Sequence, residues 1–163
     1  MAITGKELKV GIGDMKYTRN EGSVITYALG SCIGITFYDP AIKLGALLHV
    51  LLPVRVSPTD PNLYKYADTG IQETIRKLSA FGMVKSRTIV KIAGGAKMFE
   101  LSGNAEFGNI GQRNCETVKK ILASQGMRIA AQDVGGNCAR TMVLDVKSGT
   151  VCVRSVGKPE KYL

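Results

Sequence analysis

Tryptophan is absent from this chain of 163 residues, histidine occurs once, and no two cysteines stand in CxxC spacing. With His49 alone, the common zinc-finger patterns are excluded, and a metal site would need ligands drawn from distant parts of the chain. Runs of four or more basic residues are missing too, and so is any RNP-type aromatic motif. Nucleic-acid binding therefore has no motif to carry it, although 22 Lys and Arg against 13 Asp and Glu leave a net charge of +9. That balance suits a solvated surface or an acidic protein partner at least as well. Long apolar runs are also lacking. The most apolar one, 44–54, contains His49 and Pro53 and falls far short of the roughly 20 residues of a membrane span. The first nine residues carry charges where a signal peptide would need an apolar core. The expectation is a cytoplasmic protein with no membrane insertion.

What is present reads as one globular domain. Hydrophobic residues make up 45% of the chain and charged residues 21%, without a polar low-complexity tract, a linker or a repeat. We expect a single domain over 1–163, with a core of about 8–157 and a short mobile tail, 158–163. The four cysteines, Cys32, Cys115, Cys138 and Cys152, need not be paired in a chain long enough to build its own core, and we expect free thiols. Cys115 and Cys152 read as core residues, and Cys138 has no assigned role.

Nineteen glycines fall in clusters between apolar runs, a pattern of short strands joined by tight turns. Strands are expected at 8–12, 24–28, 33–38, 44–52, 88–93, 128–133, 141–146 and 151–156, the last two forming a hairpin. Apolar residues at helical spacing predict helices over 65–81 and 112–125, each followed by a stop glycine, Gly82 and Gly126. Strands at both ends with helices between them indicate an α+β sandwich. Residues 55–62, with Pro58 and Pro61, read as an irregular loop.

The stretch with chemical content is Leu29-Gly30-Ser31-Cys32-Ile33-Gly34, followed by His49-Val50-Leu51-Leu52-Pro53. If 39–42 form a hairpin loop, Tyr38 pairs with Lys43, and Cys32 lies directly opposite His49 on the same face. A one-residue slip would separate them. A thiol is only a few per cent ionised at neutral pH, and an adjacent imidazole can take its proton and later protonate a leaving amine. A third group must hold the ring: Thr26, Ser31 or a backbone carbonyl. Backbone N–H groups around Gly30, Ser31 and Cys32 are the candidates for an oxyanion hole. Taken singly, each residue has a plainer reading, a core cysteine and a half-buried histidine.

These two pieces resemble the signature of the CheD family, the chemoreceptor glutamine deamidases of bacterial and archaeal chemotaxis. The likeness extends through Lys65-Tyr66-Ala67-Asp68, Lys91-Ile92-Ala93-Gly94-Gly95-Ala96-Lys97-Met98-Phe99, Ile110-Gly111-Gln112-Arg113-Asn114 and Asp133-Val134-Gly135-Gly136, in order. The resemblance implies two stacked β-sheets with α-helices packed outside, a scaffold similar to the deamidase domain of cytotoxic necrotizing factor toxins. It implies a catalytic set of Cys32, His49 and Thr26 and no cofactor. It also implies conversion of glutamine to glutamate on methyl-accepting chemotaxis receptors through a thioester on the cysteine. An adaptor role, binding a CheC-type phosphatase, is the alternative it offers. Cys138-Ala139-Arg140 departs from the family pattern of an aromatic followed by Gly-Arg. Gly94-Gly95-Ala96-Lys97 lacks P-loop spacing and is given a conformational role near the cleft. Gly11-Ile12-Gly13 reads as a turn at a strand end, and Arg113 and Asn114 as residues that cap the second helix or line a cleft.

Overall fold

The computed structural model describes residues 5–98 and 109–163. Two five-stranded sheets face one another. The first runs in the order β1 (Glu7–Val10), β3 (Ser23–Leu29), β8 (Arg140–Asp145), β9 (Val151–Arg154), β10 (Lys161–Tyr162). The second runs β2 (Asp14–Arg19), β5 (Leu44–Val50), β4 (Ile33–Asp39), β6 (Ile89–Gly94), β7 (Ile129–Val134). The α-helices α1 (Ala67–Ala80) and α2 (Ile110–Ser124) cover the outer face of the second sheet. This is the expected α+β sandwich with helices outside.

The second sheet is thus buried on both faces, which is why β4 and β5 read as nearly unbroken apolar runs rather than alternating ones. Ile33, Ile35 and Phe37 of β4, with Leu44, Ala46, Leu48 and Val50 of β5, meet Ile71, Leu78, Val118 and Leu122 of the helices. The intervening residues of the same strands face the first sheet, where Cys32, Tyr38, Leu47 and Ala93 join Val24, Leu29, Met142 and Leu144. Each helix stops as the sequence indicates. Gly82 and Gly126 are left-handed (φ 101° and 71°), and the next residue's N–H returns to the carbonyl of Leu78 or Leu122.

Two strands were not expected. β2, Asp-Met-Lys-Tyr-Thr-Arg, is an edge strand that carries charges instead of an apolar run, the usual guard against edge pairing. β10 falls in the tail expected to be mobile. Lys161 and Tyr162 pair with Val153 and Cys152, Leu163 packs on the inter-sheet core, and Lys91 Nζ donates to the Leu163 carbonyl oxygen. The tail is short and polar, and it is held by backbone pairing that composition does not reveal. Cys152 is buried, whereas Cys115 packs against the core on one side and lines a cleft of about 410 Å³ with Gly95, Gln112 and Gly136 on the other. All four cysteines are free.

The β4–β5 hairpin differs in register from the expectation. Asp39 pairs with Leu44, and Gly34, not Cys32, lies opposite His49. The loop is 40–43 because Asp39 is drawn into the strand. Its carboxylate accepts from the Ala41 and Val84 N–H groups and from Arg87 Nε while fully buried. Lys43 closes the turn in the left-handed region (φ 47°). The register moves by an even step, so Cys32 and His49 stay on the same face, now diagonal rather than opposite.

Candidate active site

His49 lies on central strand β5, between β2 and β4, with its ring in the space between the sheets. It is completely buried. Thr26, on β3 of the facing sheet, reaches across: its Oγ1 is 2.7 Å from His49 Nδ1 and 2.7 Å from the Val10 carbonyl oxygen. These two bonds assign the protons. The Val10 oxygen can only accept, so the single hydroxyl proton of Thr26 goes there. Nδ1 must then be the N–H that donates to Oγ1, which leaves Nε2 with a free lone pair. Nε2 is buried and has no hydrogen-bond partner. Val10 contributes through its backbone alone, so no side-chain signal in the sequence marks it.

Cys32 occupies the residue before β4 and belongs to the inter-sheet cluster, 5% exposed. Burial raises its thiol pKa, an effect countered in part by its own backbone N–H. Burial also pushes His49 down to about 4. Burial thus favours the neutral form of both the thiol and the imidazole.

The segment before Cys32 is fixed by its carbonyls. Gly30 O accepts from Ala96 N–H (2.8 Å) and Cys32 O from Gly95 N–H (2.9 Å). Gly94 makes this approach possible: a Cβ there would sit 2.1 Å from the Cys32 oxygen, and its φ is 116°. The Gly94-Gly95-Ala96 motif is thus a cradle for the cysteine loop, the conformational role the resemblance implied. Gly94 O in turn accepts from Gly135 N–H and from Arg140, which is paired with Asp133. Ser31 and Cys32 N–H groups bond to no other backbone carbonyl among the described residues, so both are available to an oxyanion. The Gly11-Ile12-Gly13 turn also reaches the site, since Gly13 N–H donates to His49 O at 2.9 Å.

Thr26, Cys32 and His49 are therefore gathered in one inter-sheet space, with Gly30 and Ser31 beside the thiol. Among the described residues, no group of three or more His, Cys, Asp or Glu side chains is placed to hold a metal ion. No described helix is long and apolar enough to cross a membrane.

A buried cysteine and a buried histidine on one sheet face, with a threonine hydroxyl bonded to the imidazole, form the candidate site of this α+β sandwich. The model of a family described as CheD chemotactic sensory transduction matches residues 51–155. Proteins named "Probable chemoreceptor glutamine deamidase CheD" are similar over nearly their whole length. The one from Desulforamulus reducens is 44% identical, covering 100% of this chain and 99% of the relative. The one from Lachnoclostridium phytofermentans is 42% identical over 98% and 99%. An archaeal relative, from Pyrococcus abyssi, is 43% identical over 93% of each chain. This chain belongs to the CheD family.

Proposed function

We propose that this protein is a protein-glutamine amidohydrolase that converts glutamine side chains of chemoreceptors to glutamate, with Cys32 as nucleophile, His49 as base and acid, and Thr26 as the group that orients the ring. The observation that carries this reading is the Thr26–His49 bond, which leaves Nε2 buried, unprotonated and without a partner on the sheet face that also carries the buried Cys32. Buried side-chain nitrogens in a structural core are in the large majority hydrogen-bonded.

As Sγ of Cys32 bonds to the carboxamide carbon, Nε2 takes the thiol proton, and the oxygen of the carbonyl becomes an oxyanion facing the Ser31 and Cys32 N–H groups. The C–N bond then breaks as Nε2–H gives its proton to the nitrogen, and ammonia departs, leaving a thioester. Water adds to the thioester carbon with Nε2 as base. Collapse releases glutamate and returns the proton to sulfur. Because Nδ1 keeps its proton throughout, the imidazolium formed in the first step is stabilised by Thr26 Oγ1, whose own O–H stays donated to the Val10 carbonyl oxygen. The net charge of +9 suits an acidic substrate surface, and four free thiols suit a reducing cytoplasm.

The test is mass spectrometry of a chemoreceptor cytoplasmic fragment incubated with this protein or with Cys32→Ala. The expected result is a gain of glutamate at glutamine positions with the wild type and a loss of at least about 1,000-fold in the variant. Full activity of Cys32→Ala overturns the mechanism. Absence of conversion on several receptors overturns the activity.

A further inference from the structure

We propose that Asn114 is a positioning residue that sets the separation of Cys32 and His49, holding the chain next to each of them with one amide nitrogen. This rests on the reading of Cys32 and His49 given above. Asn114 lies in α2, on the helix layer, and is completely buried. Its Nδ2 donates to Ser31 O at 2.9 Å and to Leu51 O at 3.0 Å. Ser31 immediately precedes the nucleophile, and Leu51 follows His49 by two residues.

The β4–β5 ladder explains why such a bridge is needed. Its last rung is Ile33 with Val50. The next rung would join Cys32 and Leu51, but the Cys32 carbonyl and the Leu51 N–H are engaged elsewhere. Cys32 O takes the Gly95 N–H, and Leu51 N–H goes to Lys65 O. The two strands part just where the thiol and the imidazole must stay in register. The Asn114 amide spans that opening from the helix side, one proton to each segment.

The remainder of the amide shows that packing alone does not account for it. Both Nδ2 protons are used, so the orientation is fixed: reversing it would set Oδ1 against two carbonyl oxygens. Oδ1 itself is buried without a partner. A buried acceptor with no donor is destabilising, and an apolar side chain would fill this place in α2 without that defect. Nor is Asn114 a helix cap, since it sits a full turn inside α2, and both its bonds run to other segments.

The experiment compares Asn114→Leu, Asn114→Asp and a control, Thr74→Val, whose buried hydroxyl lies in α1 and has no partner. Two readings are taken on each folded protein: kcat and KM for receptor glutamine conversion, and the rate of Cys32 alkylation by iodoacetamide across pH. Asn114→Leu is expected to lower kcat about 10–100-fold with KM within about threefold, and to change the alkylation rate, because displacement of a reacting pair by about 1 Å costs that much. Thr74→Val is expected to alter neither. Asn114→Asp keeps the shape but donates only when its carboxyl is protonated, so its activity relative to wild type rises as pH falls. Should Asn114→Leu retain wild-type kcat and alkylation, or Asn114→Asp track the wild type at every pH, the positioning role is overturned and the deamidase reading stands. Should the wild type convert no glutamine while Asn114→Leu still shifts Cys32 alkylation, the deamidase reading falls and the positioning role holds.

Discussion

The two faces of the second sheet are equally buried and chemically opposite. Toward the helices, β4 and β5 present Ile33, Ile35, Phe37, Leu44, Ala46, Leu48 and Val50, an apolar row with no hydrogen bond to arrange. Toward the first sheet, the same strands present Gly34, Thr36, Leu47 and His49, with Cys32 at the entry. The helix face belongs to the larger of the two buried apolar clusters, and deletions there should act on stability. The inter-sheet face tolerates an unpartnered imidazole nitrogen and a glycine opposite it, and changes there should act on chemistry. Gly34 illustrates the division: a Cβ at that position would meet Met142 Sδ at 2.9 Å and Leu29 Cδ1 at 3.0 Å, so two side chains of the first sheet occupy the room left opposite His49. A core holding a reactive pair on one face needs its cohesion from the other.

Phe37→Ala should break the helix-side face most severely. The ring is fully buried, and its loss should cost about 3–5 kcal/mol, read by denaturant unfolding. If the protein loses less than about 1 kcal/mol, the helix face is not the principal source of stability. A smaller effect comes from pH and belongs to the other face. His49 titrates at about 4 when folded and near 6.5 when unfolded, so between these values the unfolded chain binds more protons. Stability should therefore fall on acidification through that window, by roughly 3 kcal/mol from pH 7 to pH 4, and His49→Gln should flatten the slope. The same pKa places the acid limb of kcat/KM well below 6.5. Iodoacetamide alkylation of Cys32 should climb steadily with pH past 9, because burial raises the thiol pKa. A plateau at neutral pH would instead indicate a thiolate–imidazolium pair.

Thr26→Val sharpens the comparison further. It removes one hydroxyl that serves both Val10 O and His49 Nδ1. We expect kcat to drop about 10–100-fold, a loss of orientation rather than of the nucleophile, with about 1–3 kcal/mol of destabilisation from the two groups left unpaired. Thr26→Ser, which keeps the hydroxyl, should restore most of the activity. If Val and Ser behave alike, the hydroxyl does not orient the ring.

The residue types and spacing already defined much of this molecule. Apolar periodicity and the glycines placed both α-helices and eight of the ten strands, since burial on one or two faces leaves a pattern that composition cannot hide. The edge strand β2 and the tail strand β10 were invisible because backbone pairing, not side-chain burial, holds them. Parity alone kept Cys32 and His49 on one face, whichever even register the hairpin took. The motifs shared with the CheD family marked the cysteine, the histidine and the threonine as a set.

Only the tertiary structure decided how those groups meet. Asp39 is pulled into the strand by Val84 and Arg87, more than forty residues away in sequence, and this moves the rung opposite His49 from Cys32 to Gly34. Thr26 rather than Ser31 reaches the ring because the first sheet lies across from the second, a contact between strands that do not pair. The tautomer of His49 follows from the Val10 carbonyl, a group every residue carries and no sequence distinguishes. Side-chain periodicity is a local property of the chain, whereas the direction of a hydrogen bond across a core depends on which distant backbone groups are left without another partner.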